Sequence, residues 1–122
     1  MNPYLSIGLT LLFTVYGQII LKYRLNQLQI KFPDQLTDKI VFTLKLIFDP
    51  LILSGFVAAF VASLFWIITM TKMEITKAYP FMSLAPALVF LVGVYVLNEQ
   101  FTWGKLIGLL FIIFGTIITV KL

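Results

Sequence analysis

Residues 50–71 read PLILSGFVAAFVASLFWIITMT, without a charged side chain until Lys72. A helix needs about 20 mostly apolar residues to cross a hydrocarbon core of roughly 30 Å, and this stretch meets that requirement. Outward from it lie three more uncharged runs: Met1–Leu21 closed by Lys22, Ala78–Asn98 closed by Glu99, and Leu106–Val120 bracketed by Lys105 and Lys121. The last is short, but both lysines can extend their stems toward the headgroups. The expected fold is an all-α integral membrane protein, a single domain over residues 1–122, with spans at about 2–22, 50–71, 78–98 and 104–121. Composition agrees. Of 122 residues 61% are hydrophobic and 11% charged, with a mean hydropathy of +1.04, against about 25% charged in a soluble domain. Nine Lys or Arg and five Asp or Glu cannot cover a water-soluble globule of this size. With neither Cys nor His, disulfides, thiolate chemistry and the usual transition-metal ligands drop out, and no metal or cofactor is expected. The basic residues are spread along the chain rather than gathered on one face, which argues against a nucleic-acid partner.

The segment from Lys22 to Asp49 is the long loop. Pro33-Asp34 reads as a break followed by a helix N-cap. Leu36, Ile40, Leu44, Ile47 and Phe48 then recur at helical spacing, with Asp38, Lys39 and Lys45 elsewhere on the wheel. That pattern predicts an amphipathic helix at about 34–48 lying in the membrane interface; the alternative is an extension of the flanking spans. The other loops are short, so consecutive later spans should run antiparallel. Lys22, Arg24, Lys31, Lys39, Lys45 and Lys105 fall in the first and third loops, and Lys72, Lys77 and Lys121 on the other side. The bias places the first and third loops in the cytoplasm and both termini outside. The first span has no basic region ahead of it and carries Gln18, so it reads as a retained helix rather than a signal peptide.

Lipid asks only for apolar side chains, so each polar residue inside a span needs a reason. Ser6, Thr10, Thr14 and Gln18 fall four apart and share one helix face. Two readings apply: hydrogen-bonding glue to neighbouring helices, or the lining of a solvated groove, which the length of the stripe favours. Gly55, Ala59 and Ser63, with Ala58 and Ala62 beside them, read as a packing surface in the second span; Trp66 and Phe65 face either lipid or a cavity. In the third span Pro80 suits a first helical turn. Pro86 is interior and should kink the helix. Tyr79 and Ser83 project from the same side as Pro86 and form a second candidate lining, opposite the first-span stripe; Tyr79 as an interfacial anchor is the alternative. Gly108 and Gly115, seven apart on a bulky fourth span, predict a seam for a partner helix, hence a dimer.

These residues resemble a family. The whole chain looks like a four-helix member of the drug/metabolite transporter superfamily, at the scale of the small multidrug resistance proteins. Met1-Asn2-Pro3-Tyr4, Gly17, Lys22, Ala78-Tyr79 and the Gly108/Gly115 pair carry the likeness. Those exporters hold a membrane glutamate in the first helix where this chain has Thr14, and their third helix bends at glycines where this chain has Leu84-Ala85-Pro86. The chain is more similar to a sister group, the subunits that flip aminoarabinose-phosphoundecaprenol across the bacterial inner membrane, and to related flippases for lipid-linked sugars. The first helix of that group resembles Thr14-Val15-Tyr16-Gly17-Gln18 followed by Lys22. Its third resembles Ala78-Tyr79-Pro80 with Ser83-Leu84, and its ending Asn98-Glu99, Gly108 and Phe111-Ile112-Ile113 before Gly115.

The resemblance implies a flippase or flippase subunit for a polyprenyl-phosphate-linked sugar in the bacterial inner membrane, not an enzyme. Thr14, Gln18, Tyr79 and Ser83 would contact the sugar, and Lys22 and Arg24 the phosphate; the topology-setting role of those two cations is the competing reading. Pro86 would act as hinge and Gly108/Gly115 as dimer seam, with an identical chain or a paralogous subunit as partner. Two other functions remain open at this point. A proton-coupled exporter of small solutes needs a titratable carboxylate at depth, and none of the charged residues lies in a span core. A non-transporting subunit of a glycosyltransferase complex fits the small size.

Overall fold

The computed structural model describes residues 2–29 and 31–122, which form six helices joined by turns and short extended segments. Met1, part of the opening tetrad quoted above, lies outside the described residues. The helices are α1 (Pro3–Leu28), α2 (Leu36–Ile47), α3 (Pro50–Lys72), α4 (Ile75–Met82), α5 (Ala85–Tyr95) and α6 (Trp103–Lys121). Four stretches are long and apolar enough to cross a membrane: α1, α3, the α4–α5 pair taken together, and α6.

Local chemistry places the ends. Asn2 caps α1 by accepting from the Tyr4 N–H at 2.8 Å, and Pro3 opens the helix, where a missing N–H is harmless. Asp49 does the same for α3, accepting from Leu51 and Ile52 ahead of Pro50. Thr102 caps α6 through the Lys105 N–H at 3.2 Å. The 19 residues of α6 rise about 28 Å, enough for the hydrocarbon core.

Several boundaries differ from the sequence reading. α1 continues to Leu28 because a charge ends a hydrophobic core without ending a helix; Lys22 to Leu28 contains no Gly or Pro. Lys22 and Arg24 therefore ride on a helix rather than a loop. α2 starts after Gln35, not Asp34, and none of its residues is buried; Leu36, Ile40, Leu44 and the following Phe48 are exposed. The third span starts earlier, at Ile75, and is broken rather than kinked. Ser83 and Leu84 donate to the carbonyls of Pro80 (3.0 Å) and Phe81 (3.1 Å), the three-residue reach of a tightened turn. Pro86 consequently stands in the first turn of α5, so the bend falls ahead of it. Pro80 lies inside α4 instead of at its start, and its carbonyl takes a hydroxyl contact from Thr116 of α6 at 3.1 Å.

The α1–α3 contact is the most extensive in the molecule. At its centre two glycines meet. A Cβ on Gly17 would stand 2.9 Å from the Gly55 carbonyl oxygen, and one on Gly55 would stand 2.9 Å from Ile20 Cγ2 and 3.2 Å from the Gly17 oxygen. Around that contact Ile7, Leu11, Ile52, Ala58 and Ala62 are buried. The packing surface of α3 thus runs through Ile52, Gly55, Ala58 and Ala62 to Thr69, while Ala59 and Ser63, expected within it, are exposed. α6 buries only Thr116.

Gly55→Val is expected to force α1 and α3 apart and destabilise the fold by about 1–3 kcal/mol, the usual cost of overpacking. Thermal melts in detergent test this, with Gly8→Ala as the control, since a Cβ at Gly8 meets nothing within 4 Å.

Candidate functional site

The first-span polar stripe divides in two. Ser6 is fully buried, with its hydroxyl 2.8 Å from Thr69 Oγ1 on α3 and 2.9 Å from the Pro3 carbonyl. Thr10, also buried, donates to the Ser6 carbonyl at 2.8 Å. This half is glue. Below it the helices stay in contact through Gly17 and Gly55, but the side chains flanking the contact are too small to fill one side of it.

A groove results. Its narrow part, about 90 Å³, is bounded by Thr14, Gly17, Gln18, Gly55 and Ala59. Its wider part, about 300 Å³, is bounded by Thr10, Thr14, Ala59, Ser63, Trp66 and Tyr79. Thr14 and Ala59 border both, so the two lie next to each other along the α1–α3 seam. The groove runs from Gln18 at one end to α4 at the other. Its lining is mostly apolar, with Leu21, Ile52, Phe56 and Met82 among the walls, and adds a few hydroxyls, one amide and one indole but no charged side chain. Thr14, Gln18 and Tyr79 make no hydrogen bond within the protein among the described residues. Groups of this kind inside a membrane call for water or a ligand.

Of the residues expected to form the site, Thr14 borders both parts, Gln18 only the narrow one and Tyr79 only the wide one. Ser83 does not join them: α4 ends at Met82, and Met82 rather than Ser83 borders the groove. Pro86 borders a separate cleft of about 450 Å³ between α5 and α6, together with Gly108, Glu99 and Lys105. Gly108 and Gly115 face open space; an added Cβ at either meets nothing within 4 Å. Trp66, which the sequence left between lipid and cavity, lies on the groove. The Gly17–Gly55 contact and the Ser6–Thr69 bond escaped the sequence reading. A polar residue at matching depth in each of two antiparallel spans was the available signal for the latter.

The two cations at the end of α1 have different fates. Lys22 is exposed, one turn beyond Gln18 on the same face. Arg24 is engaged with Asp49: Nε donates to both carboxylate oxygens at 3.1 and 3.0 Å, and Nη2 to Oδ1 at 3.0 Å. Nη1 goes to Gln27 at 3.1 Å. The guanidinium expected to meet a phosphate is thus held by a carboxylate that also caps α3. The Arg24 hydrogen bonds hold the Asp49 carboxyl below its ordinary value, with help from the Ile52 and Leu51 N–H groups against the opposing effect of burial.

A helical protein with four membrane-crossing stretches and an uncharged, mostly apolar groove carrying a few hydroxyl and amide groups between its first two spans is built as a small membrane transporter. Residues 3–121 match the EamA-like transporter family, and the chain belongs to that family. A probable 4-amino-4-deoxy-L-arabinose-phosphoundecaprenol flippase subunit ArnF of Proteus mirabilis is 31% identical over 120 residues, covering 90% of this chain and 84% of that protein. The protein of the same description from Erwinia tasmaniensis is 35% identical over 66 residues, 52% of each chain, so that match spans about half of the relative's length. No solved structure matches. The chain is a multi-pass protein of the bacterial inner membrane.

Because the folded-state pKa of Asp49 is depressed, its contribution is fully present above the unfolded value and is lost as pH falls through the folded one. Melting of the wild type should be insensitive to this group at neutral pH and weaken only below about pH 4. Asp49→Asn should melt lower than wild type at pH 7 and show less of that acid-induced loss. Melts across pH, with Asp34→Asn as the comparison, check both.

Proposed function

We propose that this transporter is a flippase, or a flippase subunit, that carries a polyprenyl-phosphate-linked sugar across the inner membrane. The observation that carries the reading is the uncharged groove, in which Thr14, Gln18 and Tyr79 present hydrogen-bonding groups that the protein itself leaves unused. A sugar offers hydroxyls that each need a donor or an acceptor, and neutral hydroxyl and amide side chains meet both demands. The groove runs along the outside of a two-helix seam, so the prenyl chain can stay in lipid while the head group passes. The names of the two flippase-subunit relatives support the same class of substrate.

In this reading Thr14, Gln18 and Tyr79 bind the sugar, and Lys22 meets the phosphate at the membrane surface, Arg24 being held by Asp49. The break at Ser83–Leu84, with Pro86 fixing the start of α5, supplies the hinge. The open faces of Gly108 and Gly115 on α6 take a partner helix from an identical chain or a paralogous subunit. α2 lies along the interface with Leu36, Ile40 and Leu44 toward lipid. With no carboxylate in the groove, transport does not need a proton gradient, which separates this reading from a proton-coupled exporter.

Reconstitution in liposomes tests it. The wild-type protein, with its paralogue if one co-purifies, should move an undecaprenyl-phosphate-linked sugar at a rate unchanged by an imposed pH gradient. Gln18→Leu and Thr14→Val should each slow flipping roughly three- to tenfold, the equivalent of one net hydrogen bond. A Gln18→Leu protein that flips lipid normally removes Gln18 from the site; a rate that follows the pH gradient overturns the uncoupled mechanism.

A further inference from the structure

The wide end of the groove is bordered by two aromatic rings that the polar stripe does not explain. Trp66 of α3 and Tyr79 of α4 stand with centroids 5.8 Å apart and planes at 86°, so they form two walls of a corner. The preceding residue, Phe65, is used in packing: it stacks on Phe13 of α1 at 5.9 Å with planes 11° apart. Trp66 is half-buried, and Tyr79, 62% exposed, leaves the corner open. The rest of this part of the groove is walled by Ala59, Ala62 and Met82 and carries the hydroxyls of Thr14 and Ser63. Ser63, which is exposed, already donates to the Phe60 carbonyl at 2.6 Å, so toward the groove it acts as an acceptor, whereas Thr10 is buried with its hydroxyl on the Ser6 carbonyl.

The corner therefore offers a large flat apolar face next to a hydroxyl rim. A sugar ring has the complementary pair of surfaces: C–H bonds over its face, hydroxyls around its edge. C–H bonds carry their positive end outward and suit the negative face of an aromatic ring, and indole is the largest such face among the side chains. At about 300 Å³ the space sits at the small end of ligand sites, matched to one ring rather than a long glycan.

Resting on the reading of the protein as a lipid-linked sugar transporter, we propose that Trp66 is a substrate-contacting residue that stacks on the C–H face of a single sugar ring, with Tyr79 at right angles as the second, open-sided wall. The stacking uses C–H bonds rather than charge, so a neutral pentose and its amino derivative are both accepted.

The chain has two tryptophans, Trp66 and Trp103, and Trp103 is 70% exposed at the start of α6. Trp103→Phe makes Trp66 the sole indole reporter. Titrating that protein in nanodiscs with geranyl-phosphate-linked pentose should give a saturable change in Trp66 emission. The amino-pentose lipid should do the same, and geranyl phosphate alone should not. In proteoliposomes Trp66→Leu should weaken flipping roughly three- to tenfold, chiefly through KM, and Trp66→Phe should recover most of it. No emission change in a protein that flips the lipid overturns the contact and leaves the transport reading standing, as does wild-type flipping by Trp66→Leu. So does an equal response to bare geranyl phosphate, which places the chain or phosphate against the ring. A response to the amino sugar alone replaces C–H stacking with cation attraction and overturns the proposal. If the wild type flips no sugar-bearing lipid, the transport reading and the contact fall together.

Discussion

Backbone-to-backbone contact at Gly17 and Gly55 is the constraint on which the remaining geometry depends. In lipid the surrounding solvent is as apolar as the helices, so no hydrophobic drive pushes two spans together. Close dispersion contact and internal hydrogen bonds must do it. The glycine pair brings α1 and α3 near enough for both. It buries Ile52, Ala58 and Ala62 against α1 and sets Ser6 within 2.8 Å of Thr69. The same closeness determines where the groove lies, because the small residue beside Gly55, Ala59, leaves a gap that Thr14 and Gln18 face.

Polar side chains in a membrane must be satisfied or wet, and the stripe on α1 does both in sequence. Ser6 and Thr10 spend their hydroxyls inside the protein, Ser6 on Thr69 across the helix pair and Thr10 on the Ser6 carbonyl within α1. Thr14 and Gln18, one and two turns further, have no such partner among the described residues. The division follows from the crossing of the two helices: near Thr69 the facing side chain is polar and within reach, whereas near Ala59 it is a methyl group. A uniform stripe on one helix thus becomes a structural half and an open half.

At the membrane surface, Asp49 caps α3 and pairs with Arg24, which ties the far end of α1 to the start of α3 across the long loop. At the other end the broken third span is held to α6 by the Thr116 contact on the Pro80 carbonyl. Between these two fixings α5 and α6 are lightly attached, and α6 buries only Thr116, the rest of it being partly or fully exposed. The molecule is firm where α1 and α3 meet and loose on the α5–α6 side.

The four spans were legible in the sequence because a run of uncharged residues is a local property: nothing distant alters whether Pro50 to Thr71 can cross a bilayer. The face shared by Ser6, Thr10, Thr14 and Gln18 was legible for the same reason, since helical spacing alone sets it. Family membership followed from residues spread in order along the chain. What only the tertiary structure decided was which partner each of those side chains meets. Arg24 was read as free for a phosphate, and Asp49, distant in sequence, takes it. Ser83 was read as a neighbour of Tyr79 by helical spacing, and the turn after Met82 breaks that spacing. Of the small residues read as one packing surface, Ala58 and Ala62 are buried and Ala59 and Ser63 are not, because the angle at which two helices cross selects the buried face. Trp66 found a cavity rather than lipid through α4 folding back over α3. Periodicity fixes directions on one helix; only the contact between helices fixes what lies in those directions.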